Sequence, residues 1–576
     1  MKFSSSRSWN GVVLTAIATF LVLPAVASAA DFVLTAPQWG KKQDRAVAAA
    51  GGTILWSHAG TGLASVSSDN PDFLASVEAS KAFRSMAEDM MIQWQKPSPV
   101  RQSDINPDDE YFYSQGLQWN MAAIEAPEAW DAHCTGSGVR VAINDGGIDP
   151  THPDLAPNMD TSCSVSFVPD EPFDSDTGGF WHGMHVAGIV GAANNGVALM
   201  GVAPEATMIS VKVLHDGTGS FGQVIGGILY ASNPAAFGMA SCDRADIINM
   251  SLGAVFNKRL PGGGPLVAAL NRAVNFATSQ GTLVVSAAGN DGIDFGQARD
   301  LISVPAESGN GLSIAATGPV DWVGAFGPPG NVRAPASYSN YGEGMTTVAA
   351  PGGAPGITAV VNVNAPQAIA GAKPATSAFY GPPASGETGD VALWTDPADT
   401  SGDPHDACEG GIDPNVAGKI ALIHRGACAF VDKTANAEAS GAIGVIIANN
   451  RAGAMPGLGG DSPATIPSVG ISQANGAAIE GELGGGVNAT LNDNPAGVYD
   501  QVLSACKVGW CFAYGTSMAS PAAAGVAALI LGENPGMSVA ALKTRLAQTA
   551  DDEGKIGNDE FYGHGFVNAA RACGVK

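Results

Sequence analysis

Three separate segments carry side chains whose types could together perform nucleophilic catalysis. Ser517 lies in a Gly-Thr-Ser-Met-Ala-Ser-Pro stretch, residues 515–521, just before an apolar run, residues 522–531, that predicts a buried helix. A serine at a helix start can be a nucleophile, because the free N–H groups there favour an oxygen that becomes anionic. It can equally be an ordinary helix cap. Pro521 is expected in the first turn, where a missing N–H costs no intrahelical bond.

Asp145 is the second candidate. Val139, Val141 and Ile143 alternate with other residues, which predicts a strand that ends at Gly146-Gly147. Asp145 is therefore expected at the carboxyl end of a parallel strand, the edge of an open α/β sheet where ligands bind. The alternative is an aspartate that begins a turn.

The third candidate is His182, three positions before His185. Such a pair could bind zinc, but a helical zinc site needs a third protein ligand, and the metalloprotease motif places a Glu beside its first His. Trp181 and Gly183 flank His182 instead. A zinc site is therefore disfavoured and no metal ligand is named, which leaves His182 as a candidate base or as a hydrogen-bonded core histidine.

The order Asp145, His182, Ser517, each in its own motif, resembles the subtilisin-like serine peptidases, or subtilases. The resemblance implies that His182 takes the Ser517 proton, that Asp145 orients the imidazole, and that an acyl-enzyme forms. The chain departs from the family pattern at Met184, where Thr is usual, and at Gly146, where Thr or Ser is usual. Neither position belongs to the triad.

The resemblance also assigns a substrate cleft. Asn290 follows an apolar strand and would complete an oxyanion hole with the Ser517 backbone N–H, although an Asn there could be a turn residue. The other expected substrate-binding residues lie at the ends of two predicted strands: Ser251, Leu252 and Gly253, which would pair with extended substrate, and Ala287, Ala288 and Gly289, which would line the primary specificity pocket.

The predicted elements indicate the fold. Strands and helices alternate after residue 117, which predicts βαβ units and a parallel sheet with helices on both faces. The resemblance therefore implies a subtilisin-like α/β fold whose catalytic domain spans 117–356 and 498–576. Residues 30–104 resemble the α+β inhibitory propeptide of the family, with a permanent N-terminal domain as the alternative, and 97–109 look like a linker.

Residues 357–495 look inserted. Their centre, 418–430 (Gly-Lys-Ile-Ala-Leu-Ile-His-Arg-Gly-Ala-Cys-Ala-Phe), with Lys433 and the apolar segment 441–450, resembles the β-rich protease-associated (PA) domain. That module often joins its central Cys to an upstream one, which implies a Cys408–Cys428 disulfide. Eight cysteines allow 105 pairings. Cys506–Cys511 is a second candidate only because the two residues are close in the sequence.

The N-terminal segment indicates where the protein is located, and the net charge of the chain limits its possible partners. Lys2 and Arg7, the apolar stretch 11–26 and a small-residue exit predict a secretory signal over 1–29. The net charge of −25 disfavours nucleic acid and anionic membranes as partners. The resemblance implies structural calcium with unnamed ligands, and no cofactor for the chemistry.

The sequence thus predicts a secreted serine endopeptidase that is made as a zymogen, acts on proteins, is inhibited by its own propeptide and has no membrane partner after signal removal. Two alternatives stay open: a catalytically silent binding protein that uses the PA domain on the same scaffold, and an aminopeptidase or peptide ligase.

Overall fold

The computed structural model describes most of the chain between residues 29 and 575, with only the backbone of 101–102. Outside it lie 1–28, 95–100, 103–116, 177–180, 260–261, 320–330, 356–357, 379, 397–402, 410, 427, 451–454, 456–457, 459–463, 495–499 and 576. The predicted signal, except residue 29, and most of the predicted linker 97–109 therefore fall outside the described residues.

The centre of the protein is an eight-stranded sheet, parallel except for one short edge strand. Its order is Ala334–Pro335, Leu312–Gly318, Leu283–Ala287, Ile247–Met250, Arg140–Asp145, Thr207–Lys212 and Val165–Ser166, and Val348–Pro351 also pairs with Leu312–Gly318. Alternate residues of the strands face two different cores. Val141 and Ile143 pack on one side, and Ala142 packs on the other.

Each face of the sheet is covered by helices, so the predicted parallel sheet flanked by helices is confirmed. His182–Gly191 and Thr516–Glu533 lie on one face, and Phe221–Ser232 and Gly263–Ser279 lie on the other. Further helices are Trp119–Ala123, Ala126–Asp131, Val539–Thr549 and Ala569–Ala572. Short antiparallel pairs surround this body: Ala254–Asn257 with Leu301–Val304, and Val502–Ala505 with Trp510–Ala513, to which Arg101–Gln102 adds a third strand.

The helix Thr516–Glu533 is buried along nearly its whole length because its residues are small and apolar. Gly525 permits the close approach, since a Cβ there would lie 2.5 Å from Val202 Cβ. Pro521 is the sixth residue of this helix, so its predicted place in the first turn is wrong. A proline there removes the bond to the carbonyl four residues earlier, which is that of Ser517.

The N-terminal residues form a separate α+β layer. Its four-stranded sheet has the order Gly52–His58, Leu63–Ser68, Ala30–Thr35 and Ser85–Glu88, with helices Lys41–Ala49 and Phe73–Ala79. The following strand, Met91–Gln93, leaves this sheet and pairs with Thr218–Ser220 of the central body. The layer therefore continues into a strand that docks elsewhere.

Residues between the sheet and the helix Thr516–Glu533 form a closed seven-stranded barrel. Its order is Ala359–Ala365, Gly371–Ser377, Ser468–Ile471, Gly444–Ala448, Ile420–His424, Ser385–Leu393 and Asn488–Asp493. The helices Phe430–Ala439 and Gln473–Glu482 belong to it. Two apolar clusters fill this region, one containing Leu422 and Ile446 and the other Ile423 and Ile447.

Four disulfides join the eight cysteines: Cys134–Cys573, Cys163–Cys242, Cys408–Cys428 and Cys506–Cys511. Both pairings considered from the sequence are thus present. Cys134–Cys573 closes 439 residues and ties the start of the sheet to the last helix. Within the described ranges, no helix is both long and apolar enough to cross a bilayer.

A histidine at the end of a barrel strand predicts a pH-dependent stability. His424 Nδ1 lies 2.7 Å from Asp403 and Nε2 lies 3.0 Å from Glu480, and His405 packs edge-on against the ring. Burial alone would lower the pKa of His424, but the hydrogen bonds and charges of both carboxylates raise it above the usual value. The stabilisation is therefore complete below about pH 6.5 and is lost as the pH rises through the folded-state pKa.

Replacing His424 by Gln is expected to destabilise the barrel by about 0.5–1 kcal/mol at pH 5.5, because these partly exposed pairs are screened by solvent, and to have less effect at pH 9. Thermal unfolding at both pH values measures the difference. His564→Gln, at an exposed position, is the matched control. An equal loss at both pH values would contradict the assignment.

Candidate active site

Asp145 and His182 are in direct contact. Asp145 is the last residue of its strand and His182 is the first of its helix, and His182 Nδ1 lies 2.8 Å from both carboxylate oxygens. The Asp145 side chain is 1% exposed and that of His182 is 14% exposed. Gly183 makes the approach sterically feasible, because a Cβ there would lie 2.4 Å from Gly147 O. This contact fixes the imidazole orientation and suits an Nδ1–H donor facing a carboxylate.

His185 is fully buried inside the protein. The Nε2 atom of His185 is 3.2 Å from the carbonyl oxygens of Val502 and Cys511. The backbone carbonyl of His185 accepts a hydrogen bond from Ser504 Oγ. Burial, together with the nearby His182, lowers the pKa of His185 to about 3. His185 is thus a neutral structural residue that ties the helix to the Val502–Ala505 hairpin.

Ser517 lies in the first turn of its helix and is 2% exposed. Its hydroxyl donates to Ser251 O at 3.0 Å, while Ser251 Oγ donates to Ser517 O at 2.8 Å. The second bond satisfies the carbonyl that Pro521 leaves without a helical donor. Asn249 and Ser520 continue the chain, since Ser520 Oγ donates to Asn249 and Asn249 Nδ2 donates to Ser251 Oγ. A hydrogen-bonded network therefore positions the serine.

Asn290 lies beside the start of the same helix. Its side-chain oxygen accepts from Thr516 N at 2.9 Å and from Thr516 Oγ1 at 2.8 Å. The amide nitrogen faces the space where Gly515 has no side chain: a Cβ on Gly515 would lie 3.3 Å from Asn290 Nδ2 and 3.6 Å from Ser517 N. Two N–H donors thus lie within 4 Å of the same point next to Gly515, an arrangement suited to a developing oxyanion.

The predicted cleft residues emerge at the same edge of the sheet. The strands Ile247–Met250 and Leu283–Ala287 are parallel neighbours, so the residues that follow them lie side by side. Gly253 faces this junction, since a Cβ there would lie 3.7 Å from Ala287 O and 3.6 Å from Val304 O. Leu252 is 1% exposed and packs in the apolar core, so its side chain is not available to a ligand. Ala288 contacts an apolar group with Ala306 and Met345.

Sequence reasoning did not identify two residues that hold this site. Thr516 accepts from Gly289 N and donates to Asn290, so one hydroxyl connects the helix to the neighbouring loop. Asn340 clamps that loop from the other side: it accepts from the backbone N–H of Asp291 and Ile293 and donates to Ala288 O. The only sequence signal for Thr516 is its place beside Ser517, and Asn340 has none because its contacts are long-range.

One acidic group in the barrel could be considered for calcium. Asp396, Asp406 and Glu409 offer carboxylate oxygens within 4.8 Å of one another. The fully buried Lys433 donates to Asp406 O and lies 3.9 Å from Asp406 Oδ2. Burial lowers the pKa of Lys433, whereas the surrounding carboxylates favour its charged form. The Lys433 ammonium offsets part of the negative charge that a calcium ion would need, so this cluster, the one such group among the described residues, is not assigned as a calcium site.

Comparison with known proteins agrees with this geometry. The subtilase family model matches residues 136–383 and 488–565, and the PA domain model matches 387–479 between them. Subtilisin BL of Lederbergia lenta is 39% identical over 237 residues, 41% of this chain and 72% of that protein. Subtilisin E of Bacillus subtilis (strain 168) is 34% identical over 222 residues, 38% of this chain and 51% of that protein.

A solved structure shows the same fold. The epidermin leader peptide processing serine protease of Staphylococcus aureus superposes with a TM-score of 0.55 and covers 95% of this chain and 98% of its own, at 17% identity. The contact between Asp145 and His182 agrees with the family match on both sides of the barrel and with the subtilisin relatives. The chain belongs to the subtilase family of serine endopeptidases and carries a PA domain inserted within its catalytic part.

Proposed function

We propose that Ser517, His182 and Asp145 form the catalytic triad of a secreted endopeptidase that is synthesised as a zymogen. The observation that carries the proposal is the contact of His182 Nδ1 with both Asp145 oxygens at 2.8 Å. The His182 helix packs against the Ser517 helix at the same edge of the sheet. These are the groups that serine acyl transfer requires, and their order in the chain is the order found in subtilisins.

In this mechanism the Ser517 hydroxyl turns from Ser251 O towards His182, which accepts its proton at Nε2 as Oγ attacks the peptide carbonyl. Asp145 stabilises the imidazolium that forms. His182 then donates the proton to the leaving amine, and an acyl-enzyme remains on Ser517. Water reverses these steps and releases the second product. Side chains and backbone of this chain fill every role, so the mechanism uses no cofactor.

Asn290 Nδ2 and Ser517 N are proposed to donate to the oxyanion beside Gly515. Replacing Asn290 by Ala is expected to lower kcat about 10²- to 10³-fold, about 3–4 kcal/mol of transition-state stabilisation, as for this donor in related subtilisins. KM should change little, because the bond strengthens only in the transition state. Steady-state kinetics on a chromogenic peptide measure both constants.

Asn310→Ala, at an exposed position, is the control for that variant. An Asn290→Ala enzyme that keeps kcat but loses substrate affinity would show that Asn290 binds the ground state and is not an oxyanion donor.

Residues 251–253 and 287–289 are proposed to bind protein substrates, the first set by adding the substrate as a β-strand. The backbone of Leu252 and Gly253 suits this mode, because strand addition uses main-chain hydrogen bonds and requires no side chain. Ala287, Ala288 and Gly289 are proposed as a wall of the primary specificity pocket because they carry small side chains or none.

The N-terminal layer, predicted as residues 30–104, is proposed to be the inhibitory propeptide. Its strand Met91–Gln93 pairs with Thr218–Ser220, and Trp94, 1% exposed, donates from Nε1 to Gly219 O at 3.2 Å. Asp89 accepts from Gly222 N at 3.0 Å, at the N-terminus of the helix Phe221–Ser232. Burial raises the pKa of Asp89 to about 6 against the hydrogen bonds of Ser220 and Gly222.

This docking lies close to the triad in the fold. The segment 213–220 follows the strand next to Asp145, and Val213 N donates to Asp145 O. Strand pairing there would occupy the edge that an extended substrate also needs.

Export is supported by four disulfides, which persist in oxidising compartments. The barrel, predicted as 357–495, is proposed to bind substrate or to limit access, with the catalytic parts at 117–356 and 498–576.

The test is digestion of casein and of one defined peptide by the purified exported protein, with products identified by mass. Phenylmethylsulfonyl fluoride should stop the reaction and add its mass to the peptide that contains Ser517. Internal cleavage supports an endopeptidase, whereas stepwise trimming or joined products would indicate an aminopeptidase or a ligase. Absence of both hydrolysis and labelling would favour the catalytically silent binding protein.

A further inference from the structure

The turn after Asp145 contains Gly146, one of the two positions where the chain departs from the family pattern. Gly146 N donates to Asp145 Oδ1 at 2.8 Å, so the turn helps to hold the carboxylate. A Cβ on Gly146 would lie only 2.5 Å from Asp176 Oδ2. The Asp176 side chain, 5% exposed, therefore fills the space that a side chain at position 146 would take.

The rest of the segment 173–176 also lies against this turn. Gly147 has φ of 131°, and a Cβ there would lie 2.5 Å from Ser175 O. Ile148 N donates to Phe173 O at 3.1 Å. The turn is thus packed between this segment and the start of the His182 helix, where Gly183 meets Gly147 O.

A buried cation holds the turn from the sheet side. Lys212 is fully buried and lies directly opposite Asp145 in the parallel pairing of their strands. Its ammonium group donates to the carbonyls of Gly146 and Leu214, the latter at 2.9 Å. It also lies 3.0 Å from Glu171 and 3.9 Å from Asp176, and His215 contacts the same Glu171 carboxylate.

The charges explain why these groups occur together. A buried ammonium is costly unless it is paired, and Glu171 and Asp176 pair it. A carboxylate next to the Asp145 turn would repel the Asp145 charge, and Lys212 offsets that repulsion. Lys212 therefore permits Asp176 to occupy the space at Gly146.

We propose that Asp176 and Lys212 are positioning residues for the reaction: together they fix the 146–147 peptide and, through it, the Asp145 carboxylate against His182. This inference rests on the proposed catalytic roles of Asp145 and His182. Small displacements of such groups affect the chemical step more than substrate binding.

The test is reciprocal rescue. Asp176→Ala leaves the turn without its packing partner, and Gly146→Ser places a side chain onto Asp176. Each single variant is expected to lower kcat about 10- to 10²-fold with KM unchanged. The double variant Gly146→Ser/Asp176→Ala should recover most of kcat, because the serine fills the space that the aspartate vacates. Asp174→Ala, an exposed carboxylate in the same segment, is the matched control and should behave as wild type.

Losses that multiply in the double variant, or full kcat in Asp176→Ala, would overturn the inference. If Gly146→Ser fails to fold, the double variant alone decides. The inference then requires that the double variant shows a cooperative thermal unfolding transition and is more active than Asp176→Ala. A wild-type protein without activity in the same assay would contradict the proposed function. An active wild type with no rescue would contradict only the positioning role.

Discussion

Ser517→Ala is expected to lower kcat about 10⁶-fold and to leave the N-terminal layer attached to the exported chain. The reason is that no other hydroxyl in the site can form the acyl-enzyme, and loss of this nucleophile in related enzymes removes the benefit of the whole triad. Propeptide release depends on the same chemistry if the chain processes itself. Hydrolysis of a chromogenic peptide and the intact mass of the exported protein measure the two effects together.

The variant should remain folded, because only one hydroxyl is removed and the bond from Ser251 Oγ to Ser517 O is retained. Ser279→Ala, at the exposed end of the helix Gly263–Ser279, is the matched control. Full hydrolysis by Ser517→Ala would end the proposal for the triad. Normal N-terminal processing without hydrolysis, in a host free of other proteases, would separate maturation from this site.

Asp145→Asn is expected to lower kcat about 10⁴-fold while the protein keeps its structure. The amide oxygen of the new Asn can keep the hydrogen bond from Gly146 N, and the amide N–H₂ then faces His182 Nδ1. The imidazole must then carry its proton on Nε2, where it cannot accept the Ser517 proton. The substitution changes the tautomer and the charge at His182 but not the substrate-binding residues, so KM should change little.

Steady-state kinetics and thermal unfolding of Asp145→Asn and of Asp149→Asn make the comparison. Asp149 lies four positions further on and accepts from Thr151 at the surface, so its loss should not affect kcat. A small effect of Asp145→Asn would mean that His182 is oriented by other contacts, and the role proposed for Asp145 would be wrong.

The parallel sheet was predictable from the sequence because the signals are local. Alternating Val139, Val141 and Ile143 predict a strand, and the structure has Arg140–Asp145. The apolar residues 247–252 predict a second strand, and in the structure that strand ends at Met250, which leaves Ser251 to Gly253 outside the ladder. The residues 220–231 predict a helix, and in the structure the helix begins at Phe221, with Ser220 in a capping box with Gln223. Local capping chemistry decided that boundary.

Several features of the site could not be read from spacing. Pro521 was expected in the first turn, but it lies further along the helix and makes Ser251 the donor to Ser517 O. Leu252 is turned into the core. Asn340, which clamps the loop of Asn290, is about fifty positions away from it. Each depends on which residues meet across the fold, and periodicity carries no information about such contacts.

The sequence by itself determined the family, the parallel sheet and the three candidate residues Asp145, His182 and Ser517, because each lies in a short motif whose residue types suit its strand or helix end. Only the tertiary structure decided how they are held. The pairing of Lys212 beside Asp145 and the closeness of Asp176 to Gly146 follow from strand register and close packing, which join positions far apart in the chain.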